Sequence, residues 1–125
     1  MKKPSKEMII AAHSILINQT GGLDGIRDSH LLDQSVNSPF HTFNGQYLYP
    51  NINTMAAHLA FSLIKNHPFL DGNKRIGILA MMTFLECNGQ SITCTDDELE
   101  ELGWGLADGS ITEQELVDWV TMHSK

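Results

Sequence analysis

Two stretches of this chain are apolar around almost their whole circumference, and only six residues separate them. The first runs from Asn53 to about Asn66 and carries Met55, Ala56, Leu59, Ala60, Leu63 and Ile64; the second runs from about Asn73 to Cys87. A helix with one polar face can lie on a surface, whereas helices apolar on all sides belong at the centre of a fold. These two therefore form the middle of the structure, and the remaining segments must cover them. A chain of 125 residues is the size of one domain, here 1–125, and buries roughly two-thirds of its unfolded surface without disulfides or a structural metal.

The covering segments also read as helices, which makes the chain all-α. Ser5 caps a first helix whose apolar positions Met8, Ile9, Ala12, Ile15 and Leu16 recur at helical spacing, and Gly21-Gly22 ends it. Asp28 caps a short second helix with Leu31, Leu32 and Val36, which stops before Pro39. Asn88-Gly89 closes the second central helix, and Ser91 to Cys94 is a short extended connection. Thr95-x-x-Glu98 and Thr112-x-x-Glu115 are capping boxes that open two more helices.

Between Phe40 and Pro50 the pattern breaks. Asn44-Gly45 is a turn signal between two β-prone runs and predicts a hairpin-like flap that includes Thr42, Phe43 and Asn44. The alternative is a loop packed over the core by its own aromatics. As a flap, its edge is expected to dock the backbone of a target protein by strand addition.

Composition narrows the classes of function. Hydrophobic residues make up 42% and charged residues 18%, which is globular rather than disordered. A formal net charge of −7 argues against a nucleic-acid partner, whose phosphates need many Lys and Arg contacts. No apolar run approaches the roughly 20 residues of a membrane span, and Pro4, Glu7 and His13 interrupt the one leader-like stretch behind Lys2-Lys3. A cytoplasmic protein is expected. Cys87 and Cys94 match no metal or redox spacing and read as two buried, reduced thiols. Nine of the fifteen acidic residues lie between Asp96 and Asp118, a solvated acidic face, whereas Lys74 and Arg75 sit together in the middle of the chain.

Those two cations belong to the segment His67-Pro68-Phe69-Leu70-Asp71-Gly72-Asn73-Lys74-Arg75, at the break between the central helices. A helix N-terminus offers free backbone N–H groups and a positive dipole end, and together they bind phosphate oxygens. Gly72 lets the backbone approach a ligand, Arg75 can grip phosphate with its planar fork, and Lys74 adds a point charge. Cations at a helix N-terminus oppose the dipole, so their presence there argues for an anionic ligand. Asp71 is a hard oxygen ligand suited to Mg²⁺ on substrate phosphates, and His67 can act as general base for a hydroxyl nucleophile. Taken singly, each residue has a plainer use: Asp71-Gly72-Asn73 as a turn and cap, His67 as a surface histidine, and Phe69 as a core anchor.

The segment resembles the signature of the Fic/Doc superfamily, His-x-Phe-x-(Asp/Glu)-Gly-Asn-(Gly/Lys)-Arg, and its Lys before Arg is similar to the death-on-curing (Doc) toxin branch. Gly21-Gly22-Leu23-Asp24-Gly25-Ile26-Arg27-Asp28, Leu31-Leu32, Pro39, the Thr42-to-Pro50 stretch and Glu115-Leu116-x-x-Trp119 extend the likeness along nearly the whole chain. The resemblance implies a compact helical fold of about six helices with a short flap. It also implies a transferase that uses ATP and Mg²⁺ to modify a protein hydroxyl: phosphorylation of a threonine of elongation factor Tu in the Doc branch, adenylylation in most Fic proteins. By resemblance, His67 is the base, Asp71 the Mg²⁺ ligand, and Gly72, Asn73, Lys74 and Arg75 the phosphate contacts. Lys74 replaces a glycine of the adenylylating pattern and Ile78 replaces its second arginine, and both changes point to γ-phosphoryl transfer. The superfamily's inhibitory motif, Ser/Thr-x-x-x-Glu-Gly/Asn, does not occur in the sequence. Inhibition is therefore expected from a cognate antitoxin whose disordered segment folds on binding. A non-catalytic interaction domain is the remaining alternative.

Overall fold

A computed structural model describes residues 1–124; Lys125, the last residue of the expected domain, lies outside the described residues. The elements in order are α1 (Lys6–Thr20), α2 (Ser29–Asn37), a 3₁₀ turn (Ser38–Phe40), strands β1 (Thr42–Phe43) and β2 (Gln46–Tyr47), α3 (Ile52–Asn66), α4 (Asn73–Cys87), α5 (Asp96–Asp108) and α6 (Glu113–His123). The fold is all-α with one small hairpin, as the sequence predicts.

The two apolar stretches are α3 and α4, and they pack on each other at the centre. Around them, α2, α5 and α6 lie against α3, while α1 and α5 lie against α4. Small residues bring the central pair close: Ala56, Ala57 and Ala60 are fully buried, and a Cβ on Gly77 would stand 2.7 Å from Ile64 Cγ1 and 3.1 Å from the Ala60 carbonyl. Leu59, Leu63, Ile76, Met81, Leu85, Leu102, Leu106 and Leu116 fill the rest of the core. Each contributes roughly 1.5–3 kcal/mol of transfer free energy.

Caps end the helices where local chemistry says they should. Ser5, Asp28, Thr95 and Thr112 all accept from the third residue of the following helix, and both Thr/Glu capping boxes are closed. α3 starts at Ile52, one residue before the expected Asn53, because Asn51 is extended and caps it by exchanging hydrogen bonds with Thr54. The buried face of α1 differs too. Met8 and Ile15 are each 59% exposed, and the buried stripe is Ile9, His13 and Ile17. Ala12 and Leu16 pack half-buried beside it, so apolarity marks the right face but not its centre, which a histidine occupies. The cysteines are not both buried: Cys87 is exposed at the end of α4, where the helix leaves the core, and Cys94 is half-buried. Burial, with Glu98 and Asp96 nearby, pushes the Cys94 thiol above its ordinary value, which disfavours a reactive thiolate.

The flap is a hairpin standing off the body. Thr42 pairs with Tyr47 and Phe43 with Gln46, and Asn44 and Gly45 both take the positive φ a tight two-residue turn requires. All four strand residues are exposed, Phe43 by 69%. Its base is fixed by Phe40 against Phe84 and by Tyr49 stacked on His58, whose Nδ1 lies 3.0 Å from Glu113. Among the described residues no helix is long and apolar enough to cross a membrane.

Candidate functional site

The six residues between α3 and α4 form a loop whose shape is imposed from below. The Gly21–Asp28 segment runs beneath it like a strap. The N–H groups of Arg27 and Asp28 donate to the Pro68 carbonyl at 2.8 and 3.0 Å, and Leu70 N–H donates to the Gly25 carbonyl at 3.0 Å. Ile26 and Phe69 pair as an antiparallel bridge, and Leu23 N–H donates to Asp71 Oδ2 at 3.2 Å. Phe69 is 1% exposed, the anchor the sequence predicts.

His67 ends α3 in the left-handed region, at φ 47° and ψ 56°. Non-glycine residues there are uncommon and strained, and they persist where surroundings over-determine them. Arg27 does so here: its Nε donates to the His67 carbonyl at 2.5 Å and its Nη2 to the Asn66 carbonyl at 2.8 Å. A cation on the last carbonyls of a helix is favourable in charge as well. The His67 ring itself is left exposed.

Gly72 follows at φ 76°, where a Cβ would meet Ile17 Cδ1 at 3.0 Å. Asn73 begins α4, and its buried side chain is committed to the loop: Nδ2 donates to the Phe69 carbonyl at 3.1 Å and Oδ1 accepts from Phe69 N–H at 2.9 Å. What Asn73 retains for a ligand is its backbone N–H. Among the described residues, the N–H groups of Asn73, Lys74 and Arg75 have no protein acceptor, whereas Ile76 N–H already bonds Gly72.

The two cations at this helix start are held by neutral groups. Lys74 Nζ sits 3.5 Å from the centroid of the Trp104 ring, and Arg75 Nη1 donates to Thr20 Oγ1 at 2.9 Å. Among the described residues neither forms a salt bridge, although the acidic α5 is close by. Neither cation is thus neutralised by direct pairing with a carboxylate among the described residues, beside three N–H groups that have no protein acceptor there.

His67, Asp71, Gly72, Asn73, Lys74 and Arg75 line one cleft of about 350 Å³, completed by Leu70, Trp104 and Ala107. Lys74, Arg75 and Trp104 are also a wall of a larger groove of about 640 Å³ with Ile78, Leu79, Met82 and Leu99 on its apolar side. Thr42, Phe43 and Asn44 remain on the exposed hairpin and do not line the cleft.

Asp71 fits a divalent cation. Its carboxylate accepts from Gly72 and Leu23 N–H groups, one on each oxygen, which orients it and leaves each oxygen with further acceptor capacity. Among the described residues no cluster of three His, Cys, Asp or Glu side chains forms a closed metal cage. A hard ion held by one carboxylate takes its other oxygens from water and phosphate, the usual habit of Mg²⁺.

Three contributors escaped the sequence: Arg27, Trp104 and His13, whose Nε2 lies 2.6 Å from the Asp71 carbonyl. The first carried a signal as part of the Gly21-to-Asp28 pattern, and the second as a lone Trp in an acidic stretch. His13 carried none.

Comparison with known proteins bears on the same segments. The family model described as Fic/DOC family matches residues 3–85, which include both strap and loop. Toxin Doc of Mycolicibacterium smegmatis is 39% identical over 92 residues, covering 74% of this chain and 68% of that protein. Protein kinase doc of Escherichia phage P1 is 28% identical over 121 residues, covering 94% of this chain and 92% of its own. A family match over more than half of the chain, containing the loop and the strap that shapes it, makes this protein a member of the Fic/DOC family.

Proposed function

We propose that this protein is a Doc-type toxin that transfers the γ-phosphoryl group of ATP to a protein hydroxyl, with a threonine of elongation factor Tu as the acceptor. The observation that carries the reading is the start of α4: three free N–H groups and two cations without carboxylate partners, in one cleft with His67 and Asp71. The names of the two relatives, one a toxin and one a protein kinase, support it.

In this reading the α4 N-terminus and Arg75 hold the phosphate oxygens, and Lys74 supplies a point charge from its place on Trp104. Asp71 would hold Mg²⁺, which would supply charge neutralisation to the phosphates. His67 takes the proton of the attacking hydroxyl. The oxygen–phosphorus bond to the acceptor forms as the bond between the γ-phosphorus and the bridging oxygen breaks, and ADP leaves. Little covalent chemistry falls to the protein, so alignment and charge stabilisation supply most of the rate. The neighbouring groove offers apolar surface for the nucleoside. Ile78, on its wall, stands where the adenylylating pattern has its second arginine, which favours phosphoryl over adenylyl transfer. The exposed hairpin edge at Thr42, Phe43 and Asn44 is the docking edge for the target, and a cognate antitoxin neutralises the protein.

Incubation with elongation factor Tu and either γ-labelled or α-labelled ATP tests this. Label is expected from the γ position only, and none with His67→Ala. Transfer from the α position, or from neither, overturns the proposal.

A further inference from the structure

We propose that His13 is a positioning residue of this site: its buried imidazole fixes the Asp71–Gly72 peptide and, through it, the Asp71 carboxylate. This rests on the phosphotransfer reading above and deepens it. His13 stands in the middle of the buried stripe of α1, 1% exposed, where its neighbours Ile9 and Ile17 are apolar. Packing alone asks for a leucine there. A buried imidazole persists when its nitrogens have work to do.

Both nitrogens point at polar groups of the loop and strap. Nε2 lies 2.6 Å from the Asp71 carbonyl, which can only accept, so Nε2 carries the proton and donates. Nδ1 faces Asp24 Oδ1 at 3.5 Å, and the same carboxylate oxygen accepts from Ser14 Oγ at 3.2 Å. The ring lies flat on Phe69, with centroids 3.7 Å apart and planes 9° from parallel. The imidazole is therefore registered on the loop twice, through the Asp71 carbonyl and through the Phe69 ring.

The consequence follows from peptide geometry. In a trans peptide the C=O and N–H point in opposite directions. With the Asp71 carbonyl drawn inward to His13, the Gly72 N–H of the same peptide must face outward, where it donates to Asp71 Oδ1 at 3.1 Å. Leu23 N–H holds the other oxygen. Without the inward donor, this peptide can turn over: the Asp71 carbonyl would then face the anion-binding helix start, and the carboxylate would lose one of its two N–H partners. Gly72, with no side chain, has little to resist that rotation.

Two amide substitutions separate this role from simple packing. The His13→Gln amide nitrogen can reach the position of Nε2, whereas that of His13→Asn, one carbon shorter, reaches only the position of Nδ1. Three readouts apply to each: kcat and KM for label transfer from ATP, thermal unfolding, and the Gly72 amide resonance in ¹⁵N-labelled protein. His13→Gln is expected to keep kcat and the Gly72 resonance close to the parent. His13→Asn is expected to lose kcat by about tenfold or more, as small misplacements at a reacting centre do, with KM for the target protein little changed and Gly72 shifted. Equal kcat and equal Gly72 resonances in the two variants overturn the proposal. If the parent itself transfers no label, the phosphotransfer reading fails while the Gly72 resonance still decides whether His13 sets this peptide.

Discussion

Replacing Arg27 with alanine removes the clamp on the end of α3 without substituting any residue that lines the cleft. Arg27 makes two hydrogen bonds from a charged donor, to the His67 and Asn66 carbonyls. Such bonds contribute roughly 1.5–3 kcal/mol each, and both are exposed here, so water recovers part of the loss and the low end applies. Opposing them is the left-handed backbone of His67, a strain of the order of 1–3 kcal/mol that relaxes once the clamp is gone. With the clamp gone, a strain of about 2 kcal/mol favours the relaxed loop, so the fraction that holds His67 in place, and with it the transfer rate, falls roughly 30-fold in Arg27→Ala. The strap's three backbone bonds to the loop remain, so the melting temperature should fall by only a few degrees. Arg27→Lys, which can reach one carbonyl but cannot fork between two, should lie between. The assay is initial rate of label transfer beside a melting curve for each variant. A rate for Arg27→Ala within about twofold of the parent would refute the idea that this clamp holds His67 in place.

Gly72→Ala combines the left-handed penalty of roughly 1–2 kcal/mol with a close approach to Ile17 Cδ1 at 3.0 Å, so urea unfolding should show a loss of that order and transfer should be nearly abolished. Hydrogen bonds from the Thr95 and Thr112 caps hold the Glu98 and Glu115 carboxyls below their ordinary value of 4.5. A depressed folded pKa means stability that is present above the unfolded pKa and lost as pH falls through the folded one. Melting temperatures should therefore decline below about pH 4.5, and the double substitution to glutamine should flatten that decline.

What was legible in the sequence was local chemistry. Helix caps need a side-chain acceptor within three residues, and an Asn-Gly turn needs two positive φ angles, so Ser5, Asp28, Thr95, Thr112 and the hairpin could all be placed. The central position of α3 and α4 followed from their apolar circumference. What was hidden depends on partners far along the chain. Arg27 acts on a carbonyl forty residues away and His13 on one fifty-eight away, and neither has a spacing to betray it. His13 also hid the centre of the buried stripe of α1, because a histidine in a core position looks like a break in periodicity. Asn73 shows the opposite case: beside two cations it reads as a ligand, yet its amide turns back four residues to brace Phe69. The conflict between Lys74, Arg75 and the helix dipole was visible at once, but the Trp104 face and Thr20 hydroxyl that hold those side chains were not.

The central claim is that the cleft at the start of α4 passes a phosphoryl group to a protein hydroxyl. The intact mass of elongation factor Tu after incubation with the protein, Mg²⁺ and ATP tests it most directly. The account predicts a gain of one phosphoryl group, mapped to a threonine and absent with His67→Ala. A gain of an adenylyl group, or an unchanged mass with fully folded protein, would contradict it.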